Sequence, residues 1–164
     1  MTDLFPPFLV YLLGALALPL VPKGNLRSGL SLLVPVIGAW LIWTMPQGMN
    51  GQVTLAGLDL TLLRNDKLST LFGLIFSLAA FLSLLYAWHV RDTIQQIAAL
   101  LYAGSAIGAV FAGDLISLFL FWEGTAIASV FLIWARRTEG AHHTGVRCLI
   151  VQVGSGVLLL AGAA

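Results

Sequence analysis

Long uncharged apolar stretches alternate with short polar ones along the whole chain. Residues 4–22, 28–58, 68–88, 93–113 and 148–164 contain no Asp, Glu, Lys or Arg, and 115–135 contains a single one. A helix needs about 20 mostly apolar residues to cross a bilayer's hydrocarbon core. Each window therefore fits one crossing, and 28–58 fits a crossing plus a loop. The punctuation between windows predicts helices over about 5–21, 26–45, 67–88, 93–112, 115–134 and 146–164. Prolines sit near the ends of the first, where a missing amide donor costs least. Pro46-Gln47-Gly48 stops the second, Asn65-Asp66 offers a cap for the third, and Gly113-Asp114 makes a tight turn into the fifth. Residues 136–145 read as a polar loop.

One region breaks the helical pattern. Gln52-Val53-Thr54-Leu55, Ala56-Gly57 and Leu58-Asp59-Leu60-Thr61-Leu62 alternate polar and apolar residues around a glycine, the period-two signature of a β-hairpin over 52–62. A two-stranded hairpin leaves edge amides that lipid cannot satisfy, so it belongs outside the hydrocarbon. The predicted fold is all-α and integral to the membrane: a single domain over 1–164, built as a bundle of about six transmembrane helices with a short extracytoplasmic hairpin.

Composition agrees. Hydrophobic residues make up 59% of the chain and charged residues 9%, against roughly 25% charged in a soluble domain. No basic stripe points to nucleic acid. The lone Cys148 excludes an internal disulfide and a cysteine-rich metal cage. The first apolar stretch has no basic leader (Asp3 is acidic) and contains Pro6, Pro7 and Pro19, so it reads as a membrane helix and not as a cleaved signal peptide. Lys23, Arg27, Arg91, Arg136, Arg137 and Arg147 fall on one side of the bundle, whereas Arg64 and Lys67 fall on the other. The positive-inside rule puts the first group in the cytoplasm and the N-terminus and hairpin outside.

Glu123 is the ionisable group inside 115–135, about 12 Å along its helix at a rise of ~1.5 Å per residue. Placing a charge there costs on the order of 2.5–3.5 kcal/mol, and an intramembrane carboxylate is a functional candidate by default. Burial favours the neutral form and a nearby cation the charged form. A carboxyl balanced between them can load and release a proton. The alternatives are a neutral side chain hydrogen-bonded between helices and a structural ion-pair partner. Asp114 reads first as a helix cap, with a part in an outer proton exit as the minority reading, and Arg147 reads as a cytoplasmic anchor. His142-His143 reads as a solvated loop pair, and Gly104-Ser105-Ala106-Ile107-Gly108 as a close-packing surface. Gly154-Ser155-Gly156 follows no strand and is not a nucleotide loop.

The run Gly113-Asp114-Leu115-Ile116-Ser117-Leu118-Phe119-Leu120-Phe121-Trp122-Glu123, followed by Ala126-x-Ala128-Ser129 and Phe131-Leu132-Ile133, resembles the antiporter-like subunits shared by Mrp-type Na⁺/H⁺ antiporters and respiratory complex I. Asp66-Lys67-Leu68-Ser69-x-x-Phe72 is similar to the family's opening of helix three. Arg147-Cys148-Leu149-Ile150-x-x-x-Gly154-Ser155 is similar to the start of its sixth helix, although Arg147 replaces the usual Lys. The resemblance implies a transporter subunit, not an enzyme, in a bacterial cytoplasmic membrane, with protons relayed through Glu123 and supporting roles for Asp114 and Arg147. It further implies a cationic partner for Glu123, a lysine on a seventh helix beyond Ala164, so this chain would be the opening portion of a longer unit or one part of a split one. Ser155 stands where one branch of the family has Asp, which favours the D-type subunit of the Mrp antiporters. Implied partners are neighbouring membrane subunits, lipid, H⁺ and Na⁺, with no cofactor or metal. The rivals are a proton-pumping subunit of a complex I-like or hydrogenase complex, a non-transporting scaffold for such a complex, and a truncated inactive product.

Overall fold

The computed structural model describes residues 5–22, 24–55, 58–90 and 92–163. Its helices are α1 (Pro7–Ala17, continued by a 3₁₀ turn Leu18–Leu20), α2 (Asn25–Thr44), α3 (Lys67–Tyr86, with a 3₁₀ turn Ala87–His89), α4 (Thr93–Phe111), α5 (Leu115–Trp134) and α6 (Glu139–Ala163). Between α2 and α3 lie the antiparallel strands β1 (Gly48–Leu55) and β2 (Leu58–Asn65). Among the described residues, five helices are long and apolar enough to cross a membrane, and Pro7–Leu20 is a shorter apolar one. The chain is an all-α membrane protein with a small two-stranded sheet.

Helix α1 packs against α2 and α4, α2 against α3, α3 against α4, α4 against α5 and α5 against α6. Lipid tails give no hydrophobic drive between helices, so close packing and polar contacts must hold them together. Tyr11 shows how. Its side chain is fully buried and its hydroxyl donates to Ser77 Oγ at 2.9 Å. A Cβ at Gly38 of α2 would come within 2.9 Å of the ring, and one at Gly104 of α4 within 2.7 Å of the Tyr11 Cβ. Two absent side chains thus admit one tyrosine, which joins four helices. Gly108 likewise leaves room for Phe121 of α5, whose ring meets Phe8 edge-on at 4.8 Å. The Gly104–Gly108 pattern is a packing surface. Large apolar side chains such as Leu16, Leu20, Trp40, Trp43 and Leu158 point outward; this is the inversion lipid permits.

The hairpin pairs Gln52 with Thr61 and Leu55 with Leu58, and Gly57, the glycine at its expected turn, lies outside the described residues. It is longer than the 52–62 expected, because pairing runs on to Gly48↔Asn65. Residues 48–51 hold two glycines and lack alternation, but backbone hydrogen bonding does not need it. Asn65, buried at the hairpin's base, donates to the carbonyls of Met45 (3.1 Å) and Pro46 (3.2 Å) and accepts from Thr70 Oγ1 (2.8 Å). Asp66 caps α3 by accepting from the Ser69 amide at 2.7 Å, and this bond holds its carboxyl below the usual range.

The sixth helix is the main correction: it begins at Glu139 and not near 146, so most of the expected loop is helical. Thr138 Oγ1 accepts from the Ala141 amide at 3.1 Å, the geometry of an N-cap, and Glu139 adds an acidic group favourable to the helix dipole. His142 therefore lies on a helix. Its ring stacks on Trp134 at 5.6 Å and its carbonyl accepts from Trp134 Nε1 at 3.3 Å.

Candidate functional site

Glu123 sits in the middle of α5, between the cap at Asp114 and Trp134. Its neighbour Gly124 faces Ser105 of α4, where an added Cβ would meet Ser105 Oγ at 2.7 Å. Glu123 faces α6. A Cβ at Gly156 would overlap Glu123 Oε1 and lie 2.9 Å from its Cδ. The carboxyl therefore rests in a notch that exists because position 156 has no side chain. Within that notch Oε1 is fully enclosed and has no hydrogen-bond partner among the described residues. A buried acceptor left unpaired costs about 1–3 kcal/mol, more when charged. Such a group calls for a proton of its own, a donor or a cation. This α5–α6 notch is the candidate site.

Gly156 is the residue sequence reasoning missed. In the run Gly154-Ser155-Gly156 the sequence points to Ser155 and to a failed nucleotide motif but not to Gly156, yet the two glycines differ completely: nothing lies near Gly154, and Glu123 lies on Gly156. Ser155, one residue away, is exposed and donates to the Gln152 carbonyl at 2.7 Å.

Asp114 and Arg147 are not gathered at this notch. Asp114 caps α5, accepting from the Ser117 amide (2.7 Å) and hydroxyl (2.8 Å), and also accepts from the Thr61 amide of β2 at 2.6 Å. The Gly113 amide returns a bond to the Thr61 carbonyl at 2.8 Å, so the turn pins the hairpin to the α4–α5 corner. Burial raises the Asp114 pKa, but the donors from Ser117, Thr61 and Ile116 together outweigh it and hold the carboxyl below its ordinary range. Arg147 is exposed on α6, with no side-chain hydrogen bond or ion pair found among the described residues.

The opposite end of the bundle carries a second polar cluster. Arg27 is only 5% exposed and donates to the Val21 carbonyl and to Thr93 Oγ1, joining the end of α1 to the starts of α2 and α4. Arg137 pairs with Asp92 at 3.0 Å, tying the α5–α6 connection to the cap of α4.

No family model matches the chain. It is similar to a putative antiporter subunit mnhA2 of Staphylococcus epidermidis, 36% identical over 61% of this chain and 13% of that protein. A protein of the same description from Staphylococcus saprophyticus is 29% identical over 94% of the chain and 22% of its own length. A Na⁺/H⁺ antiporter subunit A1 of Staphylococcus aureus is 32% identical over 74% of the chain and 15% of its own length. The chain thus spans less than a quarter of the length of these curated relatives. All three carry A-type names, which give no support to the D-type expectation drawn from Ser155.

Proposed function

We propose that this chain forms the opening helices of a proton-handling membrane subunit in a multisubunit Mrp-type Na⁺/H⁺ antiporter, with Glu123 as the intramembrane proton carrier. The observation that carries this reading is the Glu123 carboxyl held at mid-helix in the Gly156 notch, its Oε1 enclosed and without a partner among the described residues. The likeness to sodium/proton antiporter subunits across up to 94% of the chain supports it independently. The A-type names of those relatives favour an A-like over a D-like subunit.

In this mechanism Glu123 takes a proton from one side of the membrane and releases it when a cation approaches its free face. The cation stabilises the carboxylate as the proton leaves. That cation belongs to another part of the assembly, as does the Na⁺ path. Asp114 acts as a scaffold: held below the usual carboxylate range, it stays ionised near neutral pH and keeps the hairpin closed over the α4–α5 corner. The N-terminus and hairpin lie outside a bacterial cytoplasmic membrane, and Arg147 anchors α6 at the inner face.

Infrared difference spectroscopy of the complete complex in membranes, with and without Na⁺, tests the reading. Adding Na⁺ should bleach a protonated-carboxyl C=O band, and that band should be missing in Glu123→Gln. A difference spectrum unchanged by Glu123→Gln would remove Glu123 from the proton path.

A further inference from the structure

Helix α6 packs against α5, and its buried residues among those described are Ala141, Gly145 and Gly156. Two of these three are glycines, and each receives one side chain of α5. Gly156 takes the Glu123 carboxyl. Gly145 takes the indole of Trp134: a Cβ there would overlap Nε1 and lie 2.7 Å from Cδ1. The indole is held on its other sides as well. Nε1 donates to the His142 carbonyl, the ring stacks on the His142 imidazole, and Phe131 meets it edge-on at 5.7 Å. The backbone beside it is tied down too. The Trp134 carbonyl accepts from the Arg137 amide at 2.9 Å, where Arg137 turns the chain with a φ of 55° and pairs with Asp92.

The two seats match in spacing. Glu123 and Trp134 stand eleven residues apart on α5, and Gly145 and Gly156 stand eleven apart on α6. Eleven residues make about three turns and about 16 Å of helix, so the members of each pair share a face. Seating the indole on Gly145 therefore brings Gly156 to the carboxyl. Sliding α6 by one turn would keep its face but not its fit. Gln152 or Leu160 would then oppose Glu123, and Ala141 or Leu149 would oppose the indole. Each of these residues carries a Cβ where the seat has room for none. Small residues alone, which membrane helices use for close approach, do not produce this arrangement. Gly140, Gly154 and Gly162 of the same helix have open space around them.

We infer that Trp134 is a positioning residue for the Glu123 carboxyl: seated on Gly145, it pins the register of α6 on α5 and so keeps Gly156 opposite Glu123. The indole lies three turns from the carboxyl and acts through the length of the helix between the two glycines. Its effect on transport rests on the proton-carrier role proposed for Glu123. The register it sets does not.

Two readouts in the complete membrane complex test this, one of register and one of chemistry. For register, Glu123→Cys is combined with Gly156→Cys, or with Gln152→Cys one turn away, in a Cys148→Ser background. Disulfide formation under a copper–phenanthroline oxidant should favour the 156 pair, because with the carboxyl gone the Trp134 seat alone holds α6. Adding Trp134→Ala should lower the ratio of 156 to 152 linkage at least fivefold. Poorer assembly would lower both linkages and leave their ratio unmoved. For chemistry, Trp134→Ala and Gly145→Ala, with Glu123 present, should each cut Na⁺-driven proton exchange at least fivefold at equal assembly. Both should also shift the infrared C=O band of the Glu123 carboxyl. Combining Trp134→Phe with Gly145→Ala should recover part of the loss, since phenylalanine lacks the Nε1 that the new methyl strikes. Gly145→Ala supplies the linkage reading if Trp134→Ala does not assemble.

A linkage ratio unchanged by the substitution overturns the register pin. A lowered ratio with wild-type exchange and an unmoved band overturns the positioning role. If Glu123→Gln proves silent in transport while the ratio still falls, the carrier role fails and the register pin stands.

Discussion

Gly156→Val is expected to reduce Na⁺-driven proton exchange on the order of a hundredfold, the low end of what a positioned proton-transfer group contributes. The reason is steric. The first carbon of any side chain at 156 occupies the space of Glu123 Oε1, and valine adds two more that cannot rotate away from a helix. Either the carboxyl swings out of its notch or α6 moves off α5. The two results separate by a control and a cycle. Gly154→Val, two residues away with open space around it, should leave exchange near wild type. In a Glu123→Gln background, Gly156→Val should add little further loss, because residues acting through one contact are non-additive. An additive loss would mean that Gly156 serves α5–α6 packing and not the carboxyl.

The largest stability effect is expected at Tyr11. Tyr11→Ala empties a site walled by Gly38 and Gly104, whose lack of side chains leaves no neighbour able to refill it. Truncation of a buried aromatic costs roughly 3–5 kcal/mol. Thermal unfolding in mild detergent should show a loss of that order. Tyr11→Phe removes only the hydroxyl bond to Ser77 and should cost about 0.6–1 kcal/mol, in line with other interhelical bonds in membranes. If Tyr11→Phe cost as much as Tyr11→Ala, the hydrogen bond and not the packing would hold the four helices together.

Much of this architecture is legible along the chain, because lipid leaves few alternatives. An uncharged run of twenty residues has to become a helix, and α5 runs from Leu115 to Trp134, as the nearly charge-free interval and its Gly-Asp opening indicate. The hairpin shows through a different signal, its period-two alternation. What stays hidden depends on neighbours distant in sequence. Thr138-Glu139 is a cap with an acidic first turn, but the nearby glycines and paired histidines disguise a helix start, and the start is held by Trp134 stacking on His142. Arg27 counts as an interfacial charge in any tally of basic residues, yet it is buried because Val21 and Thr93 converge on it from other elements.

The site divides in the same way. Glu123 stands out because a carboxylate within an apolar helix is costly, a one-dimensional signal. Its notch does not stand out, because Gly154 and Gly156 are indistinguishable until α5 is placed against α6. Gln96 looks like an ordinary polar residue near a helix start until its oxygen is found enclosed, with no partner among the described residues. Asp114 shows its capping role in sequence, and its bond to Thr61 only in the fold.

Everything proposed for the notch turns on Glu123 carrying the transported proton. Na⁺-driven pH change in vesicles containing the complete complex measures this most directly, with wild type, Glu123→Asp and Glu123→Gln at equal protein level. Glu123→Asp, which keeps the ionisable group one methylene shorter, should retain part of the exchange, and Glu123→Gln, which keeps size and hydrogen bonding without ionisation, should lose nearly all of it. Wild-type exchange in Glu123→Gln would contradict the carrier role.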